Sequence, residues 1–180
     1  MSSLRFALLL AAIVPVLTFS ADAPQPDRWA PVRFLVGTWE GTSEGEPGRG
    51  TVARRYDFVL GDRFIQERNT STYAPQPKNA KGEVHEHWSF ISYDRARKAL
   101  VLRQFHQEGF VNQYVQRLQD SASTKLIFES EALENLDARW RARETYEVLG
   151  ANEFTETFEL AEPGKPFQVY SKNHFKRVSP

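Results

Sequence analysis

From residue 37 onward, polar and apolar side chains alternate in run after run, and no stretch keeps the spacing of an amphipathic helix. Val52, Arg54, Tyr56 and Phe58 alternate with Ala53, Arg55 and Asp57. Trp88 and Phe90 alternate with His87, Ser89 and Ile91. Gly, Pro, Asn and Asp break these runs at intervals of about 8–15 residues. Half-buried strands joined by short turns fold as an antiparallel sandwich or barrel. The runs number about ten. The expected fold is therefore all-β: a closed antiparallel up-and-down barrel of about ten strands. Only the stretch 130–141, with Ala132, Leu133 and Leu136, also suits a helical turn.

Residues 37–48 set the start of this series. Pro31 opens a short helical turn in which Phe34 and Leu35 face the core, and Gly37 ends it. Trp39 and Gly41 then share one strand face, with Thr38, Glu40 and Thr42 on the other. Glycine inside a strand marks a bulge, a bend or a close backbone approach, which barrel corners need. Gly37, Trp39 and Gly41 are expected to be structural, with Trp39 plugging one end of the barrel. Gly61-Asp62 reads as a two-residue hairpin, and residues 75–82 as the longest loop. Trp88 and Trp140 are expected in the core.

Residues 1–20 have the layout of a signal peptide: Arg5 precedes an almost wholly apolar run over 6–19. Cleavage is expected between Ser20 and Ala23. Residues 21–30 read as a flexible Pro-rich leader and 31–180 as one barrel domain. The predicted location is outside the cytoplasm, periplasmic or extracellular. The chain has no Cys, which excludes disulfides and thiolate metal sites. Its 23 basic and 23 acidic residues give no charge to attract nucleic acid. After signal removal no apolar run reaches the ~20 residues of a membrane helix. Composition sets no oligomeric state.

At residues 37–48 the chain resembles the nitrobindin-like branch of the fatty-acid-binding-protein-like, calycin-type barrels. Gly37, Trp39, Gly41, Gly45 and Pro47 match that family's opening Gly-x-Trp-x-Gly string, with Ser43 and Glu46 departing from it. The ending over 175–180 is similar too. The resemblance implies a ten-stranded barrel with an internal ligand pocket. For nitrobindins proper it implies haem, held through a His on the last strand. His174 is the His of that strand here, and the family position falls near Tyr170. Haem is thus a possible cofactor, with iron ligated by His174 or Tyr170.

The residues themselves offer further candidates. His85 and His87 share a strand face, a spacing that chelates a divalent metal, and His106 could supply a third ligand. The bland alternative is a solvated rim or a hydrogen-bonded role. Arg103, His106 and Tyr114 lie on two adjacent strands that are polar for a barrel wall. They either face water or form the polar end of a pocket, according to the phase of each strand. Arg139, Arg141 and Arg143 could form an anion stripe, or an outer face paired with Glu. No nucleophile triad or phosphate loop is present. The reading that follows is an exported barrel holding a small, mostly apolar ligand, either haem or lipid-like. The alternatives are a small enzyme and a partner-binding module. The enzyme would be a haem-iron isomerase of nitrogen species or a metal enzyme using His85 and His87.

Overall fold

In a computed structural model, described over residues 27–117 and 124–179, ten antiparallel strands close into one barrel. They are β1 (Gly37–Gly45), β2 (Gly48–Val59), β3 (Phe64–Tyr73), β4 (Glu83–Asp94) and β5 (Ala99–His106). Then come β6 (Val111–Arg117), β7 (Lys125–Glu134), β8 (Arg141–Gly150), β9 (Glu153–Ala161) and β10 (Gln168–Ser179). Each strand pairs with the next, and β10 returns to β1. Closure leaves no open sheet edge. The stretch 130–141 is strand as far as Glu134. The expected helical turn is a 3-10 turn at Arg33–Leu35. The signal peptide and most of the leader lie outside the described residues.

Closure depends on Gly41. It stands opposite Phe175, and a Cβ there would lie 2.1 Å from the His174 carbonyl oxygen. Gly37 takes φ +123°, a conformation that side chains of L-residues rarely adopt. Between β2 and β3 the turn is longer than a two-residue hairpin. Leu60, Gly61 and Asp62 are all left-handed, at φ 53°, 67° and 59°.

One end of the barrel is solid. Tyr56, Ile65, Ile91, Leu100, Leu102, Phe128, Tyr146, Phe154 and Phe175 fill it, and Trp39 closes it. The Trp39 indole N–H donates to the Leu35 carbonyl at 2.6 Å, and its ring meets Phe154 edge-on at 4.6 Å. The Arg177 guanidinium lies 4.1 Å above the indole and donates to the Phe34 and Val36 carbonyls. Trp29 and Val32 are buried in the same cluster. The leader therefore gives way to packed chain before residue 30, where the Trp29 ring packs edge-on against Phe58 at 5.7 Å. Trp88 is not core. It is 52% exposed on the outer face of β4, under the Arg68 guanidinium at 5.0 Å.

Candidate functional site: the polar half of the barrel

The other end of the barrel is hollow. A cavity of about 510 Å³ opens between the ends of β3–β6 and β7–β10. Leu133, Leu136, Trp140, Phe158, Leu160 and Tyr170 line its mouth, so Trp140 lies here rather than in the core. Arg54, Asn69, Gln104, Glu144, Glu156 and Asn173 line its depth.

The depth is built from side chains that sit in phase with core residues. On β2, Arg54 lies between inward-facing Val52 and Tyr56. On β9, Glu156 lies between Phe154 and Phe158. Ionised groups with this little solvent must be paired. Arg54 donates two bonds to Glu156, at 2.5 and 2.7 Å. It donates another from Nε to Asn69 at 2.8 Å, with Glu67 at 3.0 Å. One buried cation faces two buried carboxylates, leaving a negative excess. Burial works to raise the Glu67 pKa, but Arg54 and His87 outweigh it and hold the group down to about 2. Glu144 has no such cation at contact. Burial, reinforced by the charge of Glu156, drives its pKa well above the usual carboxylate range, so it holds a proton.

Five residues that line this depth each carry a buried polar atom with no hydrogen-bond partner: His87 Nδ1, Gln104 Oε1, Asn112 Oδ1, Glu144 Oε2 and Asn173 Oδ1. The Asn173 assignment follows from chemistry. Its Nδ2 donates to Glu156 at 2.7 Å, and a carboxylate can only accept, so the amide oxygen is left over.

Three imidazoles converge on one wall. His85 and His87 point inward from β4, and His106 is the direct cross-strand neighbour of His87 on β5. Their ring centroids lie 5.2–5.6 Å apart, and one nitrogen from each ring lies within 4.8 Å of the other two. Each ring is held by an outer partner. His85 Nδ1 meets Glu108 at 2.8 Å, His87 Nε2 meets Glu67 at 3.1 Å, and His106 Nε2 meets the Asn112 amide at 3.3 Å. Burial, with His87 and His85 adding to it, lowers the His106 pKa to about 3, which keeps this ring neutral. Phe110 stacks on it at 4.2 Å.

The other sequence candidates divide. Tyr114 is buried inside and accepts from Asn112 at 3.0 Å. Arg103 faces outward and bonds Gln113 at 2.7 Å and Ser92 at 3.3 Å. Residues 103 and 106 are an odd number of places apart on one strand, so they cannot both face inward. His174 also faces outward, 2.7 Å from Glu153. A register irregularity between Val169 and Ser171 puts Tyr170 at the cavity rim, its ring edge-on to Phe158. Burial raises its pKa, which disfavours the phenolate that iron would need. Haem therefore does not fit the position implied by the resemblance. The inward residues there are Ser171 and Asn173, neither of which offers an imidazole or phenol to iron. Among the other candidates, Arg143 pairs with Glu159 at 2.6 Å on the outer face, as expected of a solvated stripe.

No family model matches this chain, and no curated protein matches it in sequence. Among solved structures, the crystal structure of Rv2717c from M. tuberculosis is similar to it, with a TM-score of 0.62 at 13% identity. The match covers 84% of this chain and 97% of that one. At this identity the likeness is one of fold, that of a barrel.

Proposed function

We propose that this barrel binds one small, mostly apolar molecule in its hollow half, with a polar end that donates hydrogen bonds. The carrying observation is the set of buried, unpartnered acceptors beneath an apolar mouth. Gln104, Asn112 and Asn173 all line the cavity, and each keeps a buried amide oxygen without a partner. A buried acceptor without a partner costs about 1–3 kcal/mol, so a ligand that donates to it gains that much selectivity. The only Lys or Arg among the described lining residues is Arg54, already saturated by Glu156, Asn69 and Glu67. A carboxylate ligand would find no free cation. The reading therefore favours a hydroxyl, amide or ammonium head over a fatty acid or haem.

The apolar run over 6–19 behind Arg5 supports an exported protein, periplasmic or extracellular. The residue string at 37–48 supports kinship with the nitrobindin-like barrels as to architecture, without their haem chemistry.

Calorimetric titration with dodecanol, dodecylammonium and dodecanoate tests the reading, since the three share a tail and differ in head. One equivalent of the first two should bind, with dodecanoate weaker by on the order of 10-fold or more, about the worth of one buried hydrogen bond. Equal or tighter binding of dodecanoate, or no binding of any, would overturn it.

A further inference from the structure

The three-imidazole wall has a use that does not depend on the apolar ligand. We propose that His85, His87 and His106 bind one divalent transition-metal ion, zinc by ligand type, with its remaining coordination positions open to the cavity.

The geometry carries this in three steps. The first is convergence: one nitrogen from each ring already lies within 4.8 Å of the others. An ion at the ~2.0–2.1 Å typical of zinc–imidazole bonds would stand among three nitrogens separated by roughly 3–3.5 Å, so small side-chain rotations complete the site. The second is which nitrogens are free. Glu108 engages Nδ1 of His85, leaving Nε2. Glu67 engages Nε2 of His87, leaving Nδ1. Asn112 engages Nε2 of His106, leaving Nδ1. The His85 Nε2 and His106 Nδ1 atoms are already 3.4 Å apart. His87 is 7% exposed, and its Nδ1 is buried with no partner. A purely structural histidine in a barrel wall would have both nitrogens satisfied.

The third is the outer layer. Metal-bound histidines nearly always give their second nitrogen to a carboxylate, a carbonyl or water, which fixes the tautomer and orients the ring. Two of these three have a carboxylate there; the third meets the Asn112 amide, whose NH2 group faces Nε2 and whose unpartnered oxygen would accept from Nε2–H once the amide is turned over. The excess negative charge of Glu67 and Glu156 over Arg54 adds a field that favours a cation. Three nitrogens with no carboxylate among the inner ligands suit zinc, cobalt, nickel or copper rather than magnesium or calcium. Three protein ligands leave a position for water or for a lone pair of whatever fills the cavity.

The test uses the tag-free chain, since a polyhistidine tag would bind the same ions. Cobalt(II) serves as the visible probe and zinc as competitor, with calorimetry for stoichiometry. One equivalent of cobalt should give the absorption of a low-coordinate site, and one equivalent of zinc should abolish it. His87→Ala and His106→Ala should each weaken zinc on the order of 100-fold, and Glu108→Gln by about 10-fold. His174→Ala, on the outer face, should leave binding unchanged. Circular dichroism establishes that each variant is folded. Should His106→Ala unfold, His85→Ala at the cavity mouth takes its place. Zinc binding that survives in folded His87→Ala, that is lost in His174→Ala, or that falls well below one equivalent would overturn the proposal. Dodecanol binding in the metal-free protein is measured separately, so failure of either reading leaves the other standing.

Discussion

Arg54 and Glu156, 102 positions apart in the chain, meet as a two-bonded ion pair inside the barrel, each with no more than 3% of its side chain exposed. The pair joins β2 to β9 through the interior, where no backbone ladder reaches. Arg54 is also the cation for Glu67, so the two partners are not equivalent.

Replacing Arg54 strands two buried carboxylates, whereas replacing Glu156 leaves Arg54 with Glu67. Arg54→Met should therefore destabilise by about 3–5 kcal/mol and Glu156→Gln by about 1–3 kcal/mol. Urea unfolding followed by tryptophan fluorescence measures both. Equal costs would mean that the Glu67 contact contributes little.

Two groups, His106 and Glu67, give up stabilisation in acid. His106 has a folded pKa near 3, below its ordinary 6.5, so its contribution is complete above about 6.5 and is lost as pH falls toward 3. Glu67 is held near 2, below its ordinary 4.5, so its contribution is complete above about 4.5 and is lost between there and 2. The Glu67 stage is worth about 3 kcal/mol at most. With the opposing Glu144 titration removed by Glu144→Gln, melting temperatures should decline in both windows, and adding His106→Gln should remove the upper one.

Glu144 works with the opposite sign. Its folded pKa is raised by burial, so it costs stability progressively as pH rises above 4.5. Glu144→Gln keeps the shape and removes the titration. The variant should match the parent in acid and exceed it at neutral pH, as denaturation midpoints at the two conditions would reveal.

Gly41 and Gly150 provide a matched contrast. A methyl at Gly41 would press on the His174 carbonyl, while one at Gly150 meets nothing within 4 Å. Gly41→Ala should cost about 3 kcal/mol or more, with hydrogen-exchange protection lost first along β1 and β10. Gly150→Ala should change stability by no more than about 0.5 kcal/mol.

The strand series, the closure and the Trp39 plug were legible because alternation and glycine placement are local properties of the chain. Phase was harder. On β4 the bulky Trp88 and Phe90 suggest an inward face, yet His87 and Ser89 point inside, because the hollow half of a barrel reverses the usual sorting. The buried charges Arg54, Glu67, Glu144 and Glu156 were missed as site residues, although a local pattern marks them. Phe154-Thr-Glu156-Thr-Phe158 sets a carboxylate between two aromatics on one face, and Ala142-x-Glu144-x-Tyr146 sets one between two apolar residues. An ionisable group locked in phase with core residues signals an interior ion pair. The separation of Arg103 from His106 was equally readable from parity. The place of Tyr170 at the cavity rim was not, since it depends on an irregularity in pairing that no residue type announces.

Because β10 lies between β9 and β1, the barrel cannot close before its last twelve-residue strand exists. A growing chain exposes two pairing edges, on β1 and on the newest strand, and the Arg177 clamp over Trp39 arrives only with β10. Adding β10 thus removes both edges at once. A chain lacking β10 would be a sticky fragment rather than a weaker barrel, which makes this strand a checkpoint for assembly.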